Sequence, residues 1–186
     1  MKLLIGLAIA CLLVNAGCSS SVSYEEALTK NKDRFEDPSA LEDAKFLVES
    51  KSRNMFTIQV LKLASESGYS SVVVNFAKQT LPEHEKLDEE IVDLAKDIDV
   101  TLPDELSKEH QTLLSELTSV PKENFDNTFS RIIGSVNEEN NSLFTTKATR
   151  ASDPDVRAFA ARKLDLLREH SQLLSTMQSQ LLNTTD

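Results

Sequence analysis

The sequence predicts an all-α protein, an antiparallel up-down-up-down four-helix bundle with one extra short helix between the second and third long helices. Three observations carry this. Apolar residues recur at helical spacing through four long segments. Beyond residue 17 the chain holds only two glycines, Gly68 and Gly134, and strand-type alternation is scarce. Proline-bearing cap signatures, Asp37-Pro38 and Asp153-Pro154, and the turn DVTLPDEL divide the segments into similar lengths with short connections.

The elements follow in chain order. Residues 1–17, MKLLIGLAIACLLVNAG, run from a positive start at Lys2 through an apolar stretch to small residues before Cys18, which reads as an export signal too short to remain as a membrane span. The small pair before a cysteine is similar to a bacterial lipoprotein signal, which makes Cys18 the expected lipidation site. Cleavage after Ala16 by ordinary signal peptidase is the alternative, leaving a soluble periplasmic protein. Residues 18–37 are polar and read as a flexible tether, with the domain spanning 38–186. The first long helix runs from Pro38 or Leu41 to Ser67, with Gly68 as terminator. The second runs from Ser70 or Ser71 to Ile98 with a kink or break near Thr80 to Pro82, because proline removes a backbone bond and clashes with the preceding turn. A short helix covers Pro103 to Leu117, the third long helix Pro121 to Arg150, and the fourth Pro154 to Leu182.

Charge and cysteine content narrow the function classes. A formal charge of −10 argues against a nucleic-acid partner, because phosphate backbones are bound by basic surfaces. After signal removal one cysteine remains at most, so no intrachain disulfide can form and stability must come from a core. No nucleophile elbow, glycine-rich phosphate loop or zinc-type cysteine cluster occurs, and enzymatic activity is not the favoured expectation.

An internal repeat supports the bundle. Val73-x-x-Phe76-Ala77-x-x-x-Leu81 precedes Glu83-His84, and Val156-x-x-Phe159-Ala160-x-x-x-Leu164 precedes Glu169-His170. The Phe-to-His intervals of eight and eleven residues differ by nearly one helical turn, so both histidines return to a similar face. Residues 40 to 180 resemble the exported bacterial family "domain of unknown function 4142". VVVNFAKQTLPEH (72–84), DVTLPDELSKEHQTLLSEL (99–117), ENFDNTFS (123–130) and SDPDVRAFAARKLDLLREH (152–170) carry the likeness. The resemblance implies a ferritin-like helical bundle exported to the envelope. It also implies two further inward polar positions, aligned here with Thr57 and Asn137, where the family commonly has a glutamate and a histidine.

The chain has three histidines, each directly after a glutamate: His84, His110 and His170. Ferritin-type metal chemistry needs Glu-x-x-His, because residues three apart share a face, but Leu81, Ser107 and Leu167 stand three before these histidines. Adjacent Glu and His project about 100° apart and do not easily chelate one ion. His84 and His170 lie on leucine stripes and are expected to point inward, forming with Thr57 and Asn137 an inward polar cluster. A transition-metal site built from His84, His170, Glu83, Asp88 and Glu169 is the competing reading. His110, near Leu113 and Leu114, is expected to pack over the end of the bundle. The acidic run Glu83, Glu85, Asp88, Glu89, Glu90, Asp93, Asp97 and Asp99 reads as a solvated helix face.

The functional expectation is an envelope lipoprotein with a non-enzymatic binding or structural role, related to stress and needing no cofactor. The serine after Cys18 suits the outer membrane facing the periplasm, and the partner is the membrane itself through the lipid. The alternatives are a ferritin-like metal-binding or redox protein using the inward histidines, and a lipoprotein that inhibits or excludes an envelope protein partner.

Overall fold

A computed structural model describes residues 21–183, which form six helices and no strand. The expected signal and lipidation site, residues 1–17 and Cys18, lie outside the described residues. The helices are α1 (Tyr24–Arg34), α2 (Pro38–Ser67), α3 (Ser71–Asp97), α4 (Lys108–Ser119), α5 (Lys122–Arg150) and α6 (Pro154–Asn183). The pairs α2 with α3, α5 with α6, α2 with α5 and α3 with α6 pack together, so each long helix touches two others, while α1 lies on α2 and α4 on both α2 and α5.

The tether expectation is corrected by α1. Ser23 caps this helix by accepting from the Glu26 N–H, and Ala27 and Asn31 are buried, with Tyr24, Leu28 and Phe35 packed beside the core. Asn31 clamps the chain that follows α3: its amide nitrogen donates to Thr101 O and its oxygen accepts from Thr101 N, both at 2.8 Å. Asp104 N donates to Val22 O at 2.8 Å, and Val22 N donates to the Asp104 carboxylate at 3.0 Å. The folded body therefore begins by residue 21, well before residue 38.

The long helices start and stop within a residue or two of their expected positions. Asp37 accepts from the N–H groups of Ser39 and Ala40 with Pro38 in the first turn, and Ser70 caps α3 through Val73 N. At Gly68 a Cβ would come 2.7 Å from the Ala64 carbonyl oxygen, so the turn out of α2 requires glycine. Helix α3 continues through Pro82 as one helix, so of the kink or break expected there the break does not occur. Packing of Phe76, Ala77, His84 and Leu87 on both sides of the proline holds the two halves in one helix. Residues 103–107 stay non-helical until Ser107 caps α4, so the short helix starts later than expected.

The chain direction also differs from the up-down-up-down expectation. Apolar residues form two clusters, one around Phe46, Ile91, Phe144 and Phe159, the other around Phe56, Phe76, Phe129 and Leu174. Helix α2 passes from the first cluster to the second and α3 returns. The connection then carries Val100 and Leu102 against the first cluster and Leu106 and Leu117 against the second, moving the chain back along the molecule. Helix α5 therefore runs the same way as α3, and α6 returns.

A constant offset of 83 residues relates the two hairpins, as in Val73 with Val156, Phe76 with Phe159, Phe46 with Phe129 and Pro38 with Pro121. The buried Asp126 carboxylate accepts from Tyr69 N at 2.9 Å and Ser70 N at 2.7 Å in the α2–α3 turn. Its counterpart Asp43 accepts from Asp153 N at 2.7 Å in the α5–α6 turn and pairs with Lys147. Each hairpin thus closes the other's turn with a buried aspartate. At this offset the histidines are not copies of one another: His84 corresponds to Leu167, and His170 to Leu87.

Candidate functional site: a buried histidine belt

Between the two apolar clusters, all four long helices turn polar at one level. Ser50, Ser52, Asn54 and Thr57 of α2, Thr80 and His84 of α3, Asn140 of α5 and His170 of α6 are all buried. Polar groups in a dry interior cost free energy unless hydrogen-bonded, so their partners define the site.

Hydrogen bonds link the helices in a closed ring. Asn54 of α2 meets His84 of α3, Glu83 of α3 meets His170 of α6, Asn137 of α5 meets Ser171 of α6 at 2.8 Å, and Arg53 of α2 meets Glu139 of α5 at 2.7 Å. The His84 and His170 rings converge, with centroids 4.8 Å apart and planes inclined at 37°. They share a cavity of about 20 Å³ with Thr57, Thr80, Asn137 and Asn140. That is the scale of a single water molecule. All four residues expected as the inward polar cluster, Thr57, His84, Asn137 and His170, line this one space.

The network fixes the state of His84. The Asn54 amide nitrogen faces two acceptors, the His84 carbonyl at 2.9 Å and the Asp88 carboxylate at 3.4 Å, which leaves its oxygen facing His84 Nδ1 at 2.8 Å. That oxygen can only accept, so Nδ1 carries the proton and Nε2 keeps its lone pair. Burial, followed by the nearby His170, pushes the His84 pKa down to about 3. His84 is therefore a neutral imidazole at neutral pH. His170 Nε2 lies 2.5 Å from the Glu83 carboxylate, which remains partly exposed at the α3–α6 edge. Two buried atoms of the cavity-lining residues, His170 Nδ1 and Asn140 Oδ1, have no partner among the described residues.

The residues of the competing metal reading are not all brought together. His170 meets both His84 and Glu83, but Asp88 turns to α2, where both its oxygens lie within 2.8 Å of Lys51 Nζ. Glu169 is exposed on α6. No group of three His, Cys, Asp or Glu side chains able to hold a metal ion gathers among the described residues. Two imidazoles and the single Glu83 carboxylate, with neutral amide and hydroxyl neighbours, do not make the carboxylate-rich set that a ferritin-type centre requires, so the residues present do not fit that group.

His110 takes a separate place. Its ring stacks on Phe56 at 5.0 Å and 14°, and its Nδ1 lies 2.9 Å from Ser52 Oγ, which also accepts from Ser107 N. Burial, then the Arg53 charge, pushes its pKa down to about 4 against the opposing pull of Glu139. It fastens the start of α4 to α2. Sequence reasoning missed Asn54, which fixes the His84 tautomer. Its position 83 before Asn137, already singled out as inward, is the signal that could have found it.

Fold and site together define a class: an all-helical domain whose core is divided by a hydrogen-bonded histidine belt. The model of the family described as domain of unknown function (DUF4142) matches residues 29–177, and the chain belongs to that family. The match begins within α1, in keeping with a folded body that starts before residue 38. Neither the curated proteins nor the solved structures gave a match to this chain.

Proposed function

We propose that the protein is a cell-envelope lipoprotein, anchored through Cys18, whose domain serves a non-enzymatic binding or structural role in the periplasm. Its six helices are read as a ferritin-like four-helix bundle with one crossover connection, a layout that commonly houses metal centres. One observation favours the non-metal role. Of the carboxylates near the histidines, Asp88 is taken up by Lys51 and Glu83 is the single one bonded to the site, through His170, while His84 is a neutral hydrogen-bonded imidazole tied to Asn54. The belt then acts as an internal fastening between hairpins, and binding falls to the outer faces. Stress-related maintenance of the envelope is the role we assign to such a module.

The second reading, a metal-binding or redox protein, is favoured by the 4.8 Å approach of the two imidazole rings. Metal analysis separates the two. If the belt is a fastening, the purified protein retains no stoichiometric metal after incubation with iron, zinc or manganese and desalting. An equimolar ion lost in the His84→Ala, His170→Ala double variant overturns that role. Lipidation is tested separately by palmitate incorporation and membrane fractionation, both expected to be lost in Cys18→Ala.

A further inference from the structure

The geometry points to a domain held flat against the phospholipid surface, with α1, α4 and the connection between α3 and α4 toward the bilayer and the α3–α6 face toward the periplasm. The inference rests on acylation of Cys18.

The N-terminal end of the described chain is bonded tightly into the domain. Ser21 donates to Glu105, Val22 exchanges hydrogen bonds with Asp104, and Ser23 opens α1, which is fixed by buried Ala27 and Asn31. Only residues 19 and 20 then separate the acylated cysteine from a residue held by the domain. Even fully extended, the steps from Cys18 to Ser21 reach roughly 11 Å. The domain is much longer than that, since the 30 residues of α2 extend about 45 Å. A short leash attached to the side of a long body fixes which side lies down.

The packing order identifies that side. Helix α1 lies on α2 and α4 on both α2 and α5, while α3 and α6 form the opposite edge of the four-helix ring. With the leash at Ser21, beside Asp104 and Glu105, the α1–α4 side faces lipid headgroups. The α3–α6 face, with exposed Asp93 and Asp97 and the Glu83–His170 pair at its edge, faces away. Across α1, the connection and α4, acidic residues outnumber the basic Lys30, Lys32, Arg34 and Lys108, so this side offers no net attraction to anionic lipid. Closeness to the bilayer is therefore set by the acyl anchor alone. A partner bound in this orientation must approach the acidic α3–α6 face from the periplasm.

The test uses the full lipidated protein in phosphatidylethanolamine and phosphatidylglycerol vesicles carrying a headgroup-level fluorescence quencher. Signal removal takes away Cys11 and acylation occupies Cys18, so a single introduced cysteine can be labelled. The expected result is loss of fluorescence for a label at Lys108→Cys and retained fluorescence for one at Asp93→Cys. A ten-residue Gly-Ser insertion between Ser20 and Ser21 is expected to remove the difference. Equal quenching at both positions in protein that incorporates palmitate overturns the orientation while leaving the lipoprotein reading intact. Absence of palmitate incorporation overturns both. Binding of the Cys18→Ala protein to the same vesicles contradicts the claim that the lipid alone sets the distance.

Discussion

The two helical hairpins share one frame and differ at the level where they meet. Phe46 and Phe129, 83 residues apart, are both fully buried, and Asp43 and Asp126 each close the turn of the other hairpin. At the belt the correspondence is partial: Asn54 matches Asn137, but His84, His170 and Thr57 have no like counterpart. His84 stands where the second hairpin has Leu167, His170 stands where the first has Leu87, and Thr57 stands opposite Asn140. The frame is set by apolar burial and turn closure, which both copies need. The belt combines bonds within each hairpin, Asn54 to His84 and Asn137 to Ser171, with bonds between them, Glu83 to His170 and Arg53 to Glu139, and the two sides contribute unlike residues to it.

Substitutions at matched positions probe this division between frame and belt. The largest effects belong to the shared frame: Phe46→Ala and Phe129→Ala each cost about 3–5 kcal/mol of unfolding free energy, equal within error by urea denaturation. A large difference between them means that the two clusters are not equivalent. Next come Asp43→Ala and Asp126→Ala, each deleting a buried carboxylate that accepts from the partly buried backbone of the other hairpin's turn, at a cost of about 1–3 kcal/mol. The belt should show the opposite behaviour. Asn54→Ala strips a buried partner from His84 and costs about 1–3 kcal/mol, whereas Asn137→Ala, at the matched but half-buried position, costs about 1 kcal/mol or less.

Acid exposes the same asymmetry. The His84 pKa is about 3 in the folded chain against 6.5 for the free side chain, so between these values the unfolded state binds the additional proton. The stabilising contribution of neutral His84 is complete above pH 6.5 and is lost as pH falls toward 3. His110, at about 4, acts with the same sign. The urea midpoint should therefore drop between pH 7 and 4.5, and drop less in His84→Leu. An equal drop in both proteins removes His84 as a cause.

Much of the frame was legible because each long helix combines a cap signature with apolar residues at helical spacing. Asp37-Pro38, Gly68 and Asp153-Pro154 mark boundaries that depend on local chemistry. Helix α1 was not legible as structure because its stripe, Tyr24, Ala27, Leu28 and Asn31, has few strong apolar residues and ends on a buried asparagine whose partner lies 70 residues away. The direction of α5 escaped for a related reason: Leu102 and Leu106 look alike in sequence but face different clusters. At the site, the inward histidines followed from their leucine neighbours. The exclusion of Asp88 did not, because it depends on Lys51, which only the pairing of α2 with α3 brings near.

Whether the belt is a neutral hydrogen-bonded fastening or a metal centre can be read from nitrogen NMR of the labelled imidazoles. A fastening requires that His84 at pH 7 is the neutral tautomer protonated on Nδ1, keeps that form on acidification to pH 4.5, and is unchanged by added zinc. Titration of His84 near the ordinary value of 6.5, or a shift of its Nε2 resonance on addition of one equivalent of zinc, is incompatible with that role.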